Sequence, residues 1–471
     1  MRGLAIGMML LAAAAVSVDA APTKRRAPHR PAPTAAPAPS PAAAVEPLPD
    51  TPEVQHLHAA FQFGFPVYEM MRTRALTLGK AQAFGIDGRN RLLPKQKLAD
   101  AGDREVTTPN SDTLYASAWL DLTQGPLAFE VPPLPTRYNS AALMSLFTDN
   151  VAIVGSRDGA QGGSYWIVGP GWTGTAPPAT KVLRSPTNDA WLLLRVLVDG
   201  PDDFDRAMAA VRQFALNPVA AETPPPLTAV PVADPDGETF LAVVNEALGR
   251  SPLPPRGQAF EDMGIRPGVA DAWAQLPPET QALWTRALPA FRAELKGGFA
   301  ELAEPVDGWS YPGAEIGVFG DNDRSRAAVA LGGLAALPTS EAVYVSAIAD
   351  MEGAPLNGAK AYTVHIPAKV PVGAFWSLTM YQQDPDGRLF FVDTPAKRFA
   401  VGNRTSGLRF ERDGSLDIFV QTAKPSGERV VNWLPAPKGP FRLVFRAYRP
   451  GPALLDGSFR LPPVVATEAV P

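Results

Sequence analysis

The sequence predicts a mainly β protein with a helical insert: two jelly-roll or β-sandwich-like units joined by an α-helical connector. Short segments rich in β-branched and aromatic side chains, separated by Gly, Pro and Asp, fill residues 106–200 and return from 342 onwards. Between them, residues 201–303 carry apolar side chains at spacings of three and four, the helical period. With 471 residues, of which 46% are hydrophobic, the chain can bury two cores at roughly 100–200 residues per domain.

Taken in order, Val54, Leu57, Phe61, Phe65, Tyr68 and Met71 lie on one helical face. Pro66 is expected to kink or split that helix, and Arg72 and Arg74 to close it, since cations suit a helix C-terminus. Strands are expected at 113–122, 127–131, 138–147, 151–155, 164–168 and 190–197. Helices follow at 203–214, 238–248 and 278–302, with one more at 323–337. Strands return at 342–348, 361–366, 374–381, 389–392, 408–411, 416–421 and 441–448, and Arg412-Asp-Gly-Ser415 reads as a hairpin turn between two of them. A weak internal echo links the halves. Each has a strand, a proline loop (Val131 to Thr136, Ile366 to Pro371) and then a strand of Ser, apolar and aromatic residues.

The first fifty residues belong to neither unit. Met1-Arg2, the apolar run Leu4–Val16 and the small residues Val18 and Ala20 form the pattern of a secretory signal peptide cut after Ala20. The run is shorter than the roughly 20 residues a membrane span needs. Residues 21–50 hold nine prolines and read as a disordered Pro/Ala-rich linker, solvated and extended. The expected boundaries are therefore 1–20 signal peptide, 21–50 linker, 51–200 helix plus first sandwich, 201–305 connector and 306–465 second sandwich. The expected location is periplasmic or secreted.

Composition narrows the function. The net charge is −4, and the first fifty residues carry five positive and three negative charges, so the remainder is at −6. Nucleic acid is not an expected partner, because its binders present a basic face. No later segment is an apolar run long enough for a membrane span. The chain has no cysteine, which removes disulfides, thiol nucleophiles and Cys-ligated metals. Beyond residue 50 only His56, His58 and His365 remain, too few and too scattered to favour a serine-hydrolase triad or a His-rich metal site. No cofactor and no metal is expected. The partner classes left are a small molecule or glycan and a second copy of the chain.

Several motifs occur in a fixed order. They are Asp103-Arg-Glu-Val106, Pro109-Asn-Ser-Asp-Thr-Leu-Tyr115, Trp119-Leu-Asp-Leu122, Gly169-Pro-Gly-Trp172 and Arg184-Ser-Pro-Thr-Asn-Asp-Ala-Trp191. Later come Asp307-Gly-Trp309, Phe375-Trp-Ser-Leu-Thr-Met-Tyr381, Asp413-Gly-Ser-Leu-Asp417, Asn432-Trp-Leu-Pro-Ala-Pro437 and Leu455-Asp-Gly457. In these the chain resembles the bacterial family that pairs domain of unknown function 1254 with domain of unknown function 1214, over nearly all of residues 51–465. Ser111 departs from it, where the family usually has a second asparagine. The resemblance implies sandwich units with a helical insert, often in exported proteins, and no settled activity.

Three polar clusters are candidate sites. In the first, Asn110, Asp112, Thr113 and Tyr115 fall where a loop enters a strand; Asp112 would pair with Asp121 as acid and base only if the fold brings them close, and an Asx turn is the competing role. In the second, Arg184 would clamp an anion beside Asn188 and Asp189, or else pair internally with Asp189. In the third, Trp309 and Tyr311 would stack on a flat ligand next to Glu315, or else belong to a core. Two functions are weighed. One is binding of a glycan, lipid or other small envelope ligand at the seam between the sandwiches, with Asn110, Thr113, Tyr115, Arg184, Asn188, Trp309 and Tyr311 in contact. The other is a carboxylate-dependent hydrolase or lyase using Asp112, Asp189 or Glu315. N-terminal sequencing of the exported protein is expected to read Ala21-Pro22-Thr23; a mature chain that keeps Met1–Ala20 would contradict the cleavage site.

Overall fold

The computed structural model describes residues 48–220, 226–385 and 387–469, so the signal peptide and nearly all of the linker lie outside the described residues. Those described are mostly β, with twenty strands in four sheets. The chain enters through α1 (Pro52–Ala83), capped by the Thr51 side chain on the Val54 amide and opened by Pro52. Pro66 does not split this helix, which runs for 32 residues. Every residue from Phe63 to Arg74 is buried, so packing on all sides outweighs the roughly 3 kcal/mol cost of an internal proline. Arg72 and Arg74 therefore lie mid-helix, tied to Glu69 and Asp189.

The first sandwich is built from β1 (Leu93–Pro94), β2 (Thr113–Asp121), β3 (Leu127–Val131), β4 (Asn139–Ser145), β5 (Asn150–Gly155), β6 (Gly163–Val168), β7 (Lys181–Arg184), β8 (Asp189–Leu197), α2 (Phe204–Val211) and β9 (Ala215–Pro218). Its inner sheet has the order β1-β2-β8-β4-β5 and its outer sheet β7-β6-β3-β9. Leu114, Ala116, Leu120, Leu192, Leu194 and Val196 meet Phe129, Ile167 and Leu216 in the core between them.

Residues 201–305 do not form one helical segment: β9 adds to the outer sheet, and only α3 (Gly237–Leu248) and α4 (Pro278–Glu301) are long helices. Both share one apolar cluster with α1 and with α5, introduced below, and this cluster also takes Trp119, Trp191 and Leu193 from the inner sheet.

The second sandwich follows with β10 (Ala303–Val306), β11 (Trp309–Pro312), α5 (Asp323–Gly332), β12 (Ala342–Ala347), β13 (Ala361–Ile366), β14 (Trp376–Gln383), β15 (Leu389–Phe390), β16 (Ala400–Gly402), β17 (Leu416–Gln421), β18 (Trp433–Pro435), β19 (Arg442–Tyr448), α6 (Pro452–Leu455) and β20 (Val465–Thr467). Its inner sheet reads β10-β11-β12-β19-β14-β15, with β16 also on β14, and its outer sheet β18-β17-β13-β20. Residues 408–411 form no ladder; they are loop, and the Asp413-Gly414 turn leads from it into β17 with the Glu411 amide bonded to the Ser415 carbonyl. Gly414 takes a φ of +85° there, a value that suits glycine.

The two sandwiches have the same topology. β2-β8-β4-β5 corresponds to β12-β19-β14-β15, and β7-β6-β3-β9 to β18-β17-β13-β20, in the same chain order. Even the parallel pairing recurs at the same place, in β6 with β7 and β17 with β18. The proline loops of the sequence echo do the same job in both, carrying the chain from the outer sheet to the inner one.

Leu192→Ala, in the middle of the first core with no exposed surface, is expected to lower the unfolding free energy by about 2–5 kcal/mol, measured by urea denaturation.

Candidate functional site

A strand alternates its side chains between two faces, and both faces of β8 are buried. One face feeds the core. The other sets Trp191 and Leu193 against the helices, Leu197 against the second sandwich, and Arg195 between them. On the opposite wall β19 points Val444, Arg446 and Tyr448 away from its own core.

The register makes these walls alike. Arg195 lies between Tyr115 on β2 and Ser140 on β4. Arg446 lies between Tyr344 on β12 and Ser377 on β14. Tyr115-Ala-Ser-Ala118 and Tyr344-Val-Ser-Ala347 occupy corresponding positions on corresponding strands. Each inner sheet thus carries a Tyr–Arg–Ser row on the face turned towards the other.

The acids are exchanged across the seam. Asp112, three residues before Tyr115, accepts from the Ser377 hydroxyl at 2.5 Å. Glu341, three before Tyr344, accepts from the Tyr138 hydroxyl at 2.8 Å. Burial raises the pKa of both carboxyls, against the pull of those hydrogen bonds and of Arg446 for Asp112, and of Arg157 and Arg195 for Glu341. Tyr138 and Phe375 meet edge-on at 5.5 Å, and Phe375 stacks on Tyr448 at 4.3 Å.

Beside this contact lies a cavity of about 160 Å³, walled by both inner sheets, the loop 95–110 and the chain just after α5. Arg446 is satisfied there: it donates to Thr379 Oγ1 (2.8 Å), the Thr108 carbonyl (3.1 Å) and the Tyr381 hydroxyl (2.5 Å). Arg195 is not. Its Nη2 donates to the Ala335 carbonyl at 2.8 Å, while Nη1, buried, has no partner. Burial raises the pKa of the Tyr344 and Tyr448 hydroxyls, so at neutral pH they stay protonated. At the outer end of the cavity, Lys95 pairs with Asp103 and Glu105, and Lys97 with Asp100 and Asp103.

Of the residues singled out in the sequence, Asn110 and Tyr115 line this cavity. Asn110 makes the Asx turn, with Oδ1 accepting the Asp112 amide, and its Nδ2 donates to the Tyr448 hydroxyl, both at 2.7 Å. Thr113 is buried at the start of β2, its hydroxyl without a partner. Asp112 and Asp121 are nine residues apart along β2, about 30 Å at 3.3 Å per residue, and form no acid–base pair. Asp189 faces Asp121 across β2 and β8, and Arg250 bridges the two, with Arg74 at 3.4 Å from Asp189. Arg184 does not pair with Asp189; it is exposed and donates to the carbonyls of Gly169 and Trp172. Asn188 clips the Arg250 carbonyl at 2.5 Å. Trp309 and Tyr311 are core residues of the second sandwich, anchored to the Pro462 carbonyl and the Leu461 amide. Glu315, between β11 and α5, accepts from Ser325 at 3.3 Å.

Arg195, Tyr344, Ser346 and Arg446 were not singled out. Their signal is an arginine inside an apolar strand in each half, Leu192-Leu-Leu-Arg-Val-Leu197 and Leu443-Val-Phe-Arg-Ala-Tyr448, paired with the repeated Tyr-Xaa-Ser-Ala. The Asp121–Arg250–Asp189 cluster holds the far end of the strands. Arg250→Met leaves two buried carboxylates side by side and is expected to cost about 3–5 kcal/mol of stability, read by denaturant titration at neutral pH.

Among known proteins, residues 89–218 match the family model "Protein of unknown function (DUF1254)" and residues 341–452 match "Protein of unknown function (DUF1214)". The first match closes at the end of β9 and the second spans β12 to α6. No curated protein matches. Among solved structures, the VPA0106 protein of Vibrio parahaemolyticus is similar with a TM-score of 0.64 at 21% identity, covering 88% of this chain and 100% of that one. A putative uncharacterized protein from Burkholderia cenocepacia aligns with a TM-score of 0.43 at 12% identity, over 89% of this chain and 91% of that one. The first likeness shares the fold. The two ordered family matches, each laid over one sandwich, show that the chain belongs to the family joining domain of unknown function 1254 to domain of unknown function 1214.

Proposed function

We propose that this chain binds a small organic molecule in the cavity between its two sandwiches, and that it does so outside the cytoplasm. The carrying observation is the cavity itself. It is walled by both sandwiches; most of its surface is carbon, interrupted by polar groups from the repeated Tyr–Arg–Ser rows, from Asn110 and, at its outer end, from Lys95, Lys97, Asp103 and Glu105. Such mostly apolar hollows with a few placed polar groups are where small ligands bind. At about 160 Å³ the space suits a compact ligand better than a glycan chain or a two-tailed lipid. The export reading rests on the N-terminal pattern of Arg2, Leu4–Val16 and Ala20. A carboxylate-dependent hydrolase or lyase gains no support from Asp112, Asp189 and Glu315, because each is held by a different set of partners.

Ser117 and Ser346 line the cavity from opposite sheets. A thermal-shift screen of small organic molecules is expected to find a ligand that stabilises the wild type, by about 2.7 kcal/mol at a hundredfold excess over Kd. Ser117→Phe, which fills the cavity, is expected to abolish that shift while the unliganded protein still unfolds cooperatively. A ligand whose shift survives in both Ser117→Phe and Ser346→Phe binds elsewhere and would refute the site.

A further inference from the structure

We infer that the ligand of the seam cavity is an organic monocarboxylate with an apolar body about the size of a benzene ring, and that Arg195 is the residue that receives its carboxylate. This rests on the reading of the cavity as a ligand site and goes further by naming the chemistry.

Arg195 is 4% exposed and, among the described residues, no carboxylate oxygen lies within 4 Å of its guanidinium. A buried charge left without a counter-charge is costly. The neighbouring ionisable groups do not remove that cost. Asp112 bonds to Ser377 and feels Arg446. Glu341 feels Arg195, but the arginine within 4 Å of it is Arg157, at 3.7 Å. The tyrosines beside Arg195 bring no negative charge at neutral pH: burial raises the pKa of Tyr138, Tyr344 and Tyr448, which stay neutral phenols, and the Tyr115 ring lies 5.5 Å from the guanidinium. At the outer end, Lys95 and Lys97 are paired with Asp103 and Glu105. Arg446 likewise has no carboxylate in contact but spends its donors on neutral groups, so the buried charge of the cavity is positive and a ligand's negative charge would answer it at Arg195.

Hydrogen bonding points the same way. Two cavity-wall residues hold buried polar atoms without a partner, Arg195 Nη1 and Trp191 Nε1, and both are donors. The wall is therefore short of acceptors. A carboxylate supplies two oxygens in the plane that a guanidinium fork matches. The asymmetry between the two rows supports the choice of arginine: Arg446 has its donors used by Thr379, Thr108 and Tyr381, whereas its counterpart Arg195 holds one back.

The rest of the ligand follows from the other walls. Leu193, Leu334, Ile316 and Val444 present carbon to the space, which excludes a fully hydrated dianion such as phosphate. A cavity of roughly 150 Å³ with apolar walls accommodates benzene, so a volume of about 160 Å³ sets the size of the body.

The test is isothermal titration of the purified chain with benzoate, cyclohexanecarboxylate, benzyl alcohol and inorganic phosphate, repeated with Arg195→Met, Arg195→Lys and Ser117→Phe. The expected result is that one or both carboxylates bind at least about tenfold tighter than the neutral alcohol. That preference should be lost in Arg195→Met, partly kept in Arg195→Lys, and all binding lost in Ser117→Phe. Should Arg195→Met fail to fold, the wild-type comparison of acid with alcohol decides alone. Equal binding of alcohol and acid, both blocked by Ser117→Phe, would overturn the anion inference and leave the cavity as a ligand site. Binding of phosphate in preference to both carboxylates would overturn the monocarboxylate. Binding of an acid that persists in Ser117→Phe, or no binding of any of the four compounds, overturns the inference.

Discussion

Two guanidinium groups buried between two β-sheets are the constraint around which this molecule is arranged. Arg195 and Arg446 sit on strands whose other face is hydrocarbon core. Both are nearly withdrawn from bulk water. The surroundings respond with neutral dipoles instead of ion pairs: Thr379, Tyr381 and backbone carbonyls around Arg446, and the Ala335 carbonyl and tyrosine rings around Arg195. Interior hydrogen bonds of this kind are strong when complete and costly when incomplete. Completeness therefore differs between the two arginines in a way that bears on function.

The repeated topology explains why there are two. A sandwich with one polar strip on its inner sheet, used twice in a chain, places two such strips opposite one another. The copies have diverged where they need to fill space differently. Tyr138 corresponds in position to Phe375, and the hydroxyl that only one of them has bonds the acid from the other sandwich. The helices α3, α4 and α5 fall between the copies in the chain, and with α1 they cover the part of the first inner sheet that the second sandwich leaves bare. That is why β8 can be buried on both faces, while an isolated sandwich would leave one face wet.

Much of the fold was legible in the sequence because its signals are local. The alternation in Thr113–Asp121 and the proline loop before Asn139 mark strand and crossing without knowledge of their partners. Pro66 misled because burial around α1, which is tertiary, outweighed a local rule. Residues 408–411 misled because Leu408 packs on the second core from a loop and Phe410 stays half-exposed, so neither belongs to a ladder. The site was legible in part. Asn110 and Tyr115 stood out by density of polar groups, whereas Trp309 and Tyr311 stood out by residue type and proved to be core. Arg195 and Arg446 were hidden inside apolar runs. Their meaning depends on which strand lies beside them, and register is a property of the sheet, not of the segment.

The exchange of acids across the seam has a consequence for how the protein can be divided. Asp112 is covalently part of the first half but satisfies a serine of the second, and Glu341 does the reverse. Cutting the polypeptide between the halves would strand an acid on each fragment and uncover Tyr138 on one and Phe375 with Tyr448 on the other. Neither fragment is thus a free-standing module. Moving one half into a new context would have to bring a matching face with it.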